Sequence, residues 1–240
     1  MRSVVPQVVH LNRVLVSNVF LVDAGREGRF LVDTGHRAER WVLLRELARA
    51  GCAPGELAGV LLTHRHSDHA GNAAFLRQRF GVKLYAHRQD AEVLEGTAPR
   101  PLLIRGGEPV IEGVLARIED HFPSRYTCVD RHLEDGDEVA GLEVHWVPGH
   151  TLGSAFYRHA PSGCLFTGDM LLNAAPPLTL RPGLRGPYPT FSDDMKRAHA
   201  SLHAFQARGA SYDVVLSGHG PALVGGARSR VDRLLEGLSA

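Results

Sequence analysis

The chain of 240 residues carries 27 basic and 26 acidic side chains, so its formal charge of +1 creates no bulk field that would draw in a polyanion such as DNA or RNA. Apolar residues make up 44% and charged residues 22%, which excludes disordered and membrane composition, and a chain of this length can bury a sizeable core without staples. Three scattered cysteines, Cys52, Cys128 and Cys164, form no C-x-x-C pair, which argues against a disulfide framework or thiolate cage and fits a reducing compartment.

In residues 1–22 the apolar positions are broken by Gln7, His10, Asn12, Arg13 and Asn18, with neither a signal-like apolar stretch nor a small-residue cleavage site. No apolar run is long enough for a bilayer, so a soluble, cytoplasmic protein that uses no membrane is expected. Residues 14–22 and Arg29–Val32 are rich in β-branched residues, and the turn-rich stretch 23–28 between them predicts a hairpin. Over residues 37–50 the period changes: Trp41, Leu44, Leu47 and Ala48 recur at helical spacing, and Gly51 is a natural stop.

A short buried strand at 60–62 runs into a histidine-rich turn, followed by a helix at 72–80 and a strand at 82–86. Residues 96–107 contain Pro99, Pro101 and a glycine pair and predict an irregular connection before a helix at 110–120. Strands are expected at 142–147, 155–158, 164–167 and 213–216, and helices at 193–207 and 228–238. Strands and helices intermix with no linker between them, which favours one layered α/β domain over residues 1–240.

The sharpest motif is His64-x-His66-x-Asp68-His69, at the end of the buried strand. Side chains two apart in an extended segment face the same way, so His64 and His66 can share one ion, and Asp68 and His69, past the turn, can face a second. Such ligands suit zinc and also accept iron or manganese. Packing alone explains them poorly, because each buried imidazole needs partners and the carboxylate needs a counter-charge. His150, in a sharp turn after one strand, and His219, in Gly-His-Gly-Pro after another, extend the set. Asp169 ends the apolar strand Leu165-Phe166-Thr167-Gly168, and its two oxygens can bridge two cations.

With these pieces in order across residues 18–221, the sequence resembles the metallo-β-lactamase superfamily. The resemblance implies an αββα sandwich of two mixed β-sheets flanked by helices, with the site at one edge of the sheets. It implies that His64, His66 and His150 bind a first metal, that Asp68, His69 and His219 bind a second, and that Asp169 bridges them. Asp33, in Val32-Asp33-Thr34-Gly35, matches a family position that supports the site from behind, and Thr63 and Thr167 are weaker candidates for the same task. His36 is close enough to Asp33 to reach the site mouth. His10, His87, His121, His132, His145, His159, His199 and His203 read as surface or packing residues, and Cys164 as a strand residue.

Two cations about 3.5–4 Å apart can share a water and present hydroxide to an electrophile. The implied enzyme is a binuclear two-zinc hydrolase of a small-molecule ester, thioester or lactone, with Asp68 passing a proton to the leaving group. A mononuclear iron enzyme similar to persulfide dioxygenases, a phosphodiesterase or nuclease, and a non-catalytic metal-binding scaffold are the alternatives. Typical glyoxalase II proteins add a helical glutathione-binding region after the last histidine, whereas residues 220–240 are all that follow here, which disfavours hydroxyacylglutathione. Homoserine-lactone lactonases often place a tyrosine after the bridging aspartate, where this chain has Met170-Leu171-Leu172. β-Lactams are disfavoured by the missing export signal and by the bridging aspartate, and RNA by the neutral charge. Residues 174–190, with five prolines plus Arg181, Arg185 and Tyr188, are expected to cover the pocket and meet an anionic or acyl group. The pattern leaves the oligomeric state open.

Overall fold

The computed structural model describes residues 1–174, 178–179 and 181–238. β1 (Arg2–Val5), β2 (Val8–His10), β3 (Phe20–Asp23) and β4 (Arg29–Val32) form an antiparallel meander. Three parallel strands, β5 (Leu57–Leu62), β6 (Leu84–His87) and β7 (Arg131–Leu133), extend it into a seven-stranded sheet in chain order. Parallel neighbours need crossovers, and helices supply them. These are α1 (Arg40–Arg49) before β5, α2 (Ser67–Ala70) and α3 (Ala73–Phe80) before β6, and α4 (Arg88–Glu95) and α5 (Val110–His121) before β7.

The second sheet contains β8 (Glu138–Val139), β9 (Leu142–Trp146), β10 (Ala155–His159), β11 (Cys164–Gly168), β12 (Val214–Ser217) and β13 (Leu223–Val224), six strands in the order β13-β12-β11-β10-β9-β8. Only β11 and β12 pair in parallel, with α6 (Met195–Ala207) in the crossover, and α7 (Ala227–Glu236) follows the last strand. Both sheets are therefore mixed.

Side-chain alternation sorts the layers. In β3 and β4, Phe20, Val22, Phe30 and Val32 point between the sheets and meet Val144, Tyr157, Phe166 and Leu216 of the other sheet. Their alternates Leu21 and Leu31 face outward onto Leu43 and Leu47 of α1 and Leu76 of α3. On the far side Phe156, Leu165 and Val215 pack under Leu202 and Phe205 of α6 and Val231 of α7. The architecture is an αββα sandwich. Tyr157 donates across it from its hydroxyl to the Leu62 carbonyl at 2.6 Å, tying the tip of β5 to the opposite sheet.

Two local expectations need correction. Residues 14–18 lie outside any strand: the N–H groups of Leu15 and Val16 donate to the Glu39 carboxylate at 2.7 and 3.1 Å, so a side chain takes the place of a ladder. The buried stripe of α1 is Leu43, Glu46 and Leu47, while Trp41 is 71% exposed and Ala48 is also exposed. Glu46 enters the interior because the Met1 amino group and Arg49 pair with it at 3.0 and 2.7 Å. Strands β1, β2, β7, β8 and β13 and helices α2 and α4 were not foreseen. In α4 the buried set Asp90, Ala91, Val93 and Leu94 includes a carboxylate, which interrupts the apolar period that marks a helix.

Candidate metal centre

Strand ends of both sheets deliver the predicted residues to one place. Past β5, His66 is extended (φ −60°, ψ 152°) and caps α2, so the chain turns sharply between His66 and Asp68. His150 follows β9, Asp169 follows β11 and His219 follows β12. On one side of the site His150 Nε2 lies 3.2 Å from His64 Nε2 and 3.0 Å from His66 Nδ1. On the other, His219 Nε2 lies 3.2 Å from both Asp68 Oδ2 and Asp169 Oδ2, and His69 Nε2 lies 3.3 Å from Asp169 Oδ1 and 3.6 Å from Asp68 Oδ2. Asp169 stands between the two groups, with Oδ2 also 3.9 Å from His150 Nε2.

Hydrogen bonds behind the rings decide which nitrogens face inward. His69 Nδ1 donates to Asp33 Oδ2 at 2.8 Å. Thr63 Oγ1 donates to the same carboxylate oxygen at 2.8 Å, which leaves it free to accept from His64 Nδ1 at 3.1 Å. Ser192 Oγ donates to the Tyr188 carbonyl and so accepts from His150 Nδ1 at 3.3 Å. The Nε2 atoms of His64, His69 and His150 are then the ones directed at the site, as bare lone pairs on the neutral rings of His64 and His150. Two of them, on His64 and His150, face each other at 3.2 Å, a contact that is repulsive without a cation. His69 Nε2 and Asp169 Oδ1 are buried with no hydrogen-bond partner among the described residues. This donor set fits metal ions: His64, His66 and His150 can hold one, and His69, Asp169 and His219, with Asp68 alongside, can hold another.

Proton affinities divide along the same line. Burial and the neighbouring rings hold His64 and His66 well below the ordinary histidine range, and burial lowers His150 despite Asp169. Burial also acts to lower His69 and His219, but carboxylates outweigh it: Asp68, Asp169 and Asp33 raise His69 strongly, and Asp169 and Asp68 push His219 up to about 10. Burial raises Asp68 and Asp169, yet the same two rings bring both below the usual carboxylate range. One half of the site is a cluster of neutral rings and the other an alternation of acid and base.

The expected supports divide too. Asp33 adopts φ 61°, a left-handed conformation that aspartate tolerates better than most side chains, and besides His69 and Thr63 Oγ1 it accepts the Thr63 N–H at 2.8 Å. Thr167 instead donates to the Leu171 carbonyl at 3.1 Å and holds the turn after β11. His36 lines the cavity described below. Cys164 is buried within β11, and His87 stacks on Trp146 with ring centroids 5.1 Å apart.

Four positioning residues escaped sequence reasoning. Asp90 on α4 accepts the Arg65 N–H at 2.8 Å, Thr151 Oγ1 at 2.7 Å and the Gly153 N–H at 3.1 Å, locking the His64–His66 turn to the His150 loop. Gly153 has no space for a Cβ, which would overlap Asp90. The Arg65 guanidinium, buried between Asp90 at 3.3 Å and Asp193 at 3.0 Å, reinforces the joint. Ser192 orients His150, as above. Asn18 Nδ2 donates to the carbonyls of Ser217 and Gly220 at 2.9 and 2.7 Å and so pins the His219 loop. Within that loop a Cβ on Gly218 would overlap Asp169 Oδ1 and His69 Cε1, so only glycine lets the backbone approach so closely.

A cavity of about 280 Å³ opens onto the centre, lined on its polar side by His36, His66, Ser67, Asp68, Glu119, Asp169 and His219. Glu119 of α5 accepts the Ser67 N–H with both oxygens, at 3.0 and 3.1 Å, and also accepts from Ser67 Oγ. Burial and Asp68 raise its carboxyl to about 7 against these bonds. Of the stretch 174–190, residues 175–177 and 180 lie outside the described residues, while Leu178 and Tyr188 line the cavity. Arg185 turns to the Gly183 carbonyl at 3.1 Å and the Tyr188 hydroxyl at 3.5 Å. No helix among the described residues is long and apolar enough to cross a membrane.

A family profile described as the metallo-beta-lactamase superfamily matches residues 12–219. A probable metallo-hydrolase, YybB of Bacillus subtilis (strain 168), is 27% identical over 187 residues, covering 76% of this chain and 71% of the relative. Hydroxyacylglutathione hydrolase GloC of Haemophilus influenzae is 26% identical over 222 residues, covering 92% of this chain and 94% of that one. Among solved structures, TTHA1623 in a di-iron-bound form superposes with a TM-score of 0.66 at 27% identity, over 92% of this chain and 95% of the other. The profile match spans most of the sequence and contains every strand end that builds the centre, so the chain belongs to the metallo-beta-lactamase superfamily.

Proposed function

We propose that the protein is a binuclear metal-dependent hydrolase of a small ester, thioester or lactone. The observation that carries this reading is the two-sided cage, with three inward imidazole nitrogens on one side of Asp169 and His69, His219 and Asp68 on the other. In this reading His64, His66 and His150 hold one ion, Asp68, His69 and His219 hold a second, and Asp169 serves both. Zinc suits the donors, and iron is equally admissible given the di-iron form of the related TTHA1623. When bound, such ions supply Lewis-acid polarisation of a carbonyl and a water with a pKa near neutrality.

The protein's own groups do the rest. Asp68 lies on the cavity wall with Oδ2 turned to His219 Nε2 at 3.2 Å, so its other oxygen would take the proton given up by the attacking water and deliver it to the departing alkoxide or thiolate. Asp33, Thr63 and Ser192 keep the imidazoles in the tautomer that leaves Nε2 free. GloC is matched over 94% of its length, so the short tail after His219 does not by itself set hydroxyacylglutathione aside.

The test is a screen of metal-replete protein against thioester, lactone, phosphodiester and β-lactam substrates, with metal content measured alongside. Turnover of carbonyl esters with two ions per chain and no oxygen uptake supports the reading, and His66→Ala should abolish that turnover. One iron per chain with thiol-dependent oxygen consumption would instead identify an oxygenase.

A further inference from the structure

Apart from the polar side at the cage, the cavity has an apolar wall. Leu115 and Ile118 of α5 line it together with Leu172, Leu178 and Phe191. Among the described lining residues the acidic groups are Asp68, Glu119 and Asp169, and none is lysine or arginine. Arg185, in the stretch expected to cover the pocket and meet an anionic or acyl group, is turned onto a backbone carbonyl and the Tyr188 hydroxyl. A carboxylate on an acyl arm that runs from the metals into this part of the cavity would lose water and meet no lysine or arginine among the described lining residues. An alkyl group there would lose only unfavourable hydration.

The apolar character continues outward. Val16 and Ile118 line the cavity and are also 44% and 46% exposed. Val114, one turn before Ile118 on α5, and Phe122, just past the helix end, are 51% and 55% exposed, and Leu15 beside Val16 is 76% exposed. A cation does stand at this rim: the Arg37 guanidinium lies over the Phe122 ring, 5.4 Å from its centroid. Exposed apolar residues scattered singly mean little, but a contiguous set at the mouth of a cavity marks a ligand surface. At about 30 Å³ for each water-sized group, the 280 Å³ interior takes roughly nine non-hydrogen atoms.

We propose that this cavity selects substrates whose arm is an uncharged alkyl or acyl chain and rejects arms that carry a carboxylate. The inference rests on the hydrolase reading for the bond that is cut, and on the cavity walls for the arm. It favours esters, thioesters or lactones of neutral aliphatic acids over those of dicarboxylic acids.

Two measurements on metal-loaded protein test it. Calorimetric binding of straight-chain alkyl hydroxamic acids, from two to ten carbons, requires no turnover. Affinity should rise about fourfold per methylene until the interior is filled and then level off. An ω-carboxylated hydroxamate of equal length should bind at least tenfold more weakly. In the second measurement, octanoyl and ω-carboxyoctanoyl thioesters with the same leaving group are compared by kcat/KM, and the neutral one should be favoured by a similar factor. Leu115→Arg, which supplies the missing cation, should reverse that ratio, and the half-exposed Ile118→Lys makes the same test if the first variant does not fold. Affinity independent of chain length, or a preference for the carboxylated arm, would overturn the proposal. Hydrolysis without arm preference would leave the hydrolase standing and remove the selectivity, whereas chain-length-dependent binding with no ester cleaved would do the opposite.

Discussion

The cage and the wall facing it are held in different ways. Behind the cage, His64, His69 and His150 are each anchored through their second ring nitrogen to buried Thr63, Asp33 or Ser192, and the loops that carry the ligands are locked by Asp90 and Asn18. Opposite, α5 fully buries only Ala116 and is tied down by carboxylates: Glu112 to Thr190, Glu119 to Ser67, and Asp120 to the N–H groups of Leu103 and Ile104 at 2.9 and 3.0 Å. Metal ligation tolerates little misplacement, and the candidate ligands here are held by strand ends and buried hydrogen bonds. A substrate wall can vary without disturbing the ions, and one cage can serve many substrates across a superfamily.

Breaking the cage should have the largest effect. His150→Ala removes the residue that meets both His64 and His66, and should cost one bound ion per chain and more activity than the roughly 10–100-fold typical of losing a supporting partner. Metal analysis of the purified variant checks this. Asp90→Asn leaves the buried Arg65 with Asp193 as its remaining carboxylate, and chemical denaturation should show a loss of about 3 kcal/mol. Asp33→Asn presents an amide where His69 Nδ1 and Thr63 require acceptors, so affinity for the ion on the His69 side should fall roughly 10–100-fold while the other site is less affected. A competitive chelator titration separates the two sites.

The wall should respond least, and mainly to pH. Glu119 is raised to about 7 from an ordinary value of 4.5, so the folded chain binds this proton more tightly than the unfolded one. Its contribution is full below about pH 4.5 and disappears as pH climbs through 7, a change on the order of 3 kcal/mol in metal-free protein. Glu119→Gln should flatten the stability profile across that window. An unchanged profile would show that the carboxyl is not held neutral by its surroundings.

The same contrast governs what could be read from the sequence. His64, His66, Asp68 and His69 occupy six consecutive positions after an apolar strand, and His150, Asp169 and His219 each end a strand, so local spacing exposes all seven. Asp90 and Asn18 act on partners far along the chain, Asn18 on a carbonyl 199 residues away, and neither carries a local signature. Trp41 and Glu46 exchange the places that hydrophobicity alone assigns them, because the Met1 amino group pairs with Glu46 only once the chain is folded. The cavity wall was illegible for a related reason. Leu115, Leu172 and Phe191 come from separate connections, and nothing in their spacing indicates a shared face.

The account turns on two ions held on either side of Asp169. Its most direct test is a calorimetric titration of metal-free protein with zinc, run in parallel on His150→Ala. Two equivalents for the native chain and one for the variant are predicted. Saturation at a single equivalent in the native chain, or two equivalents undiminished in the variant, would contradict it.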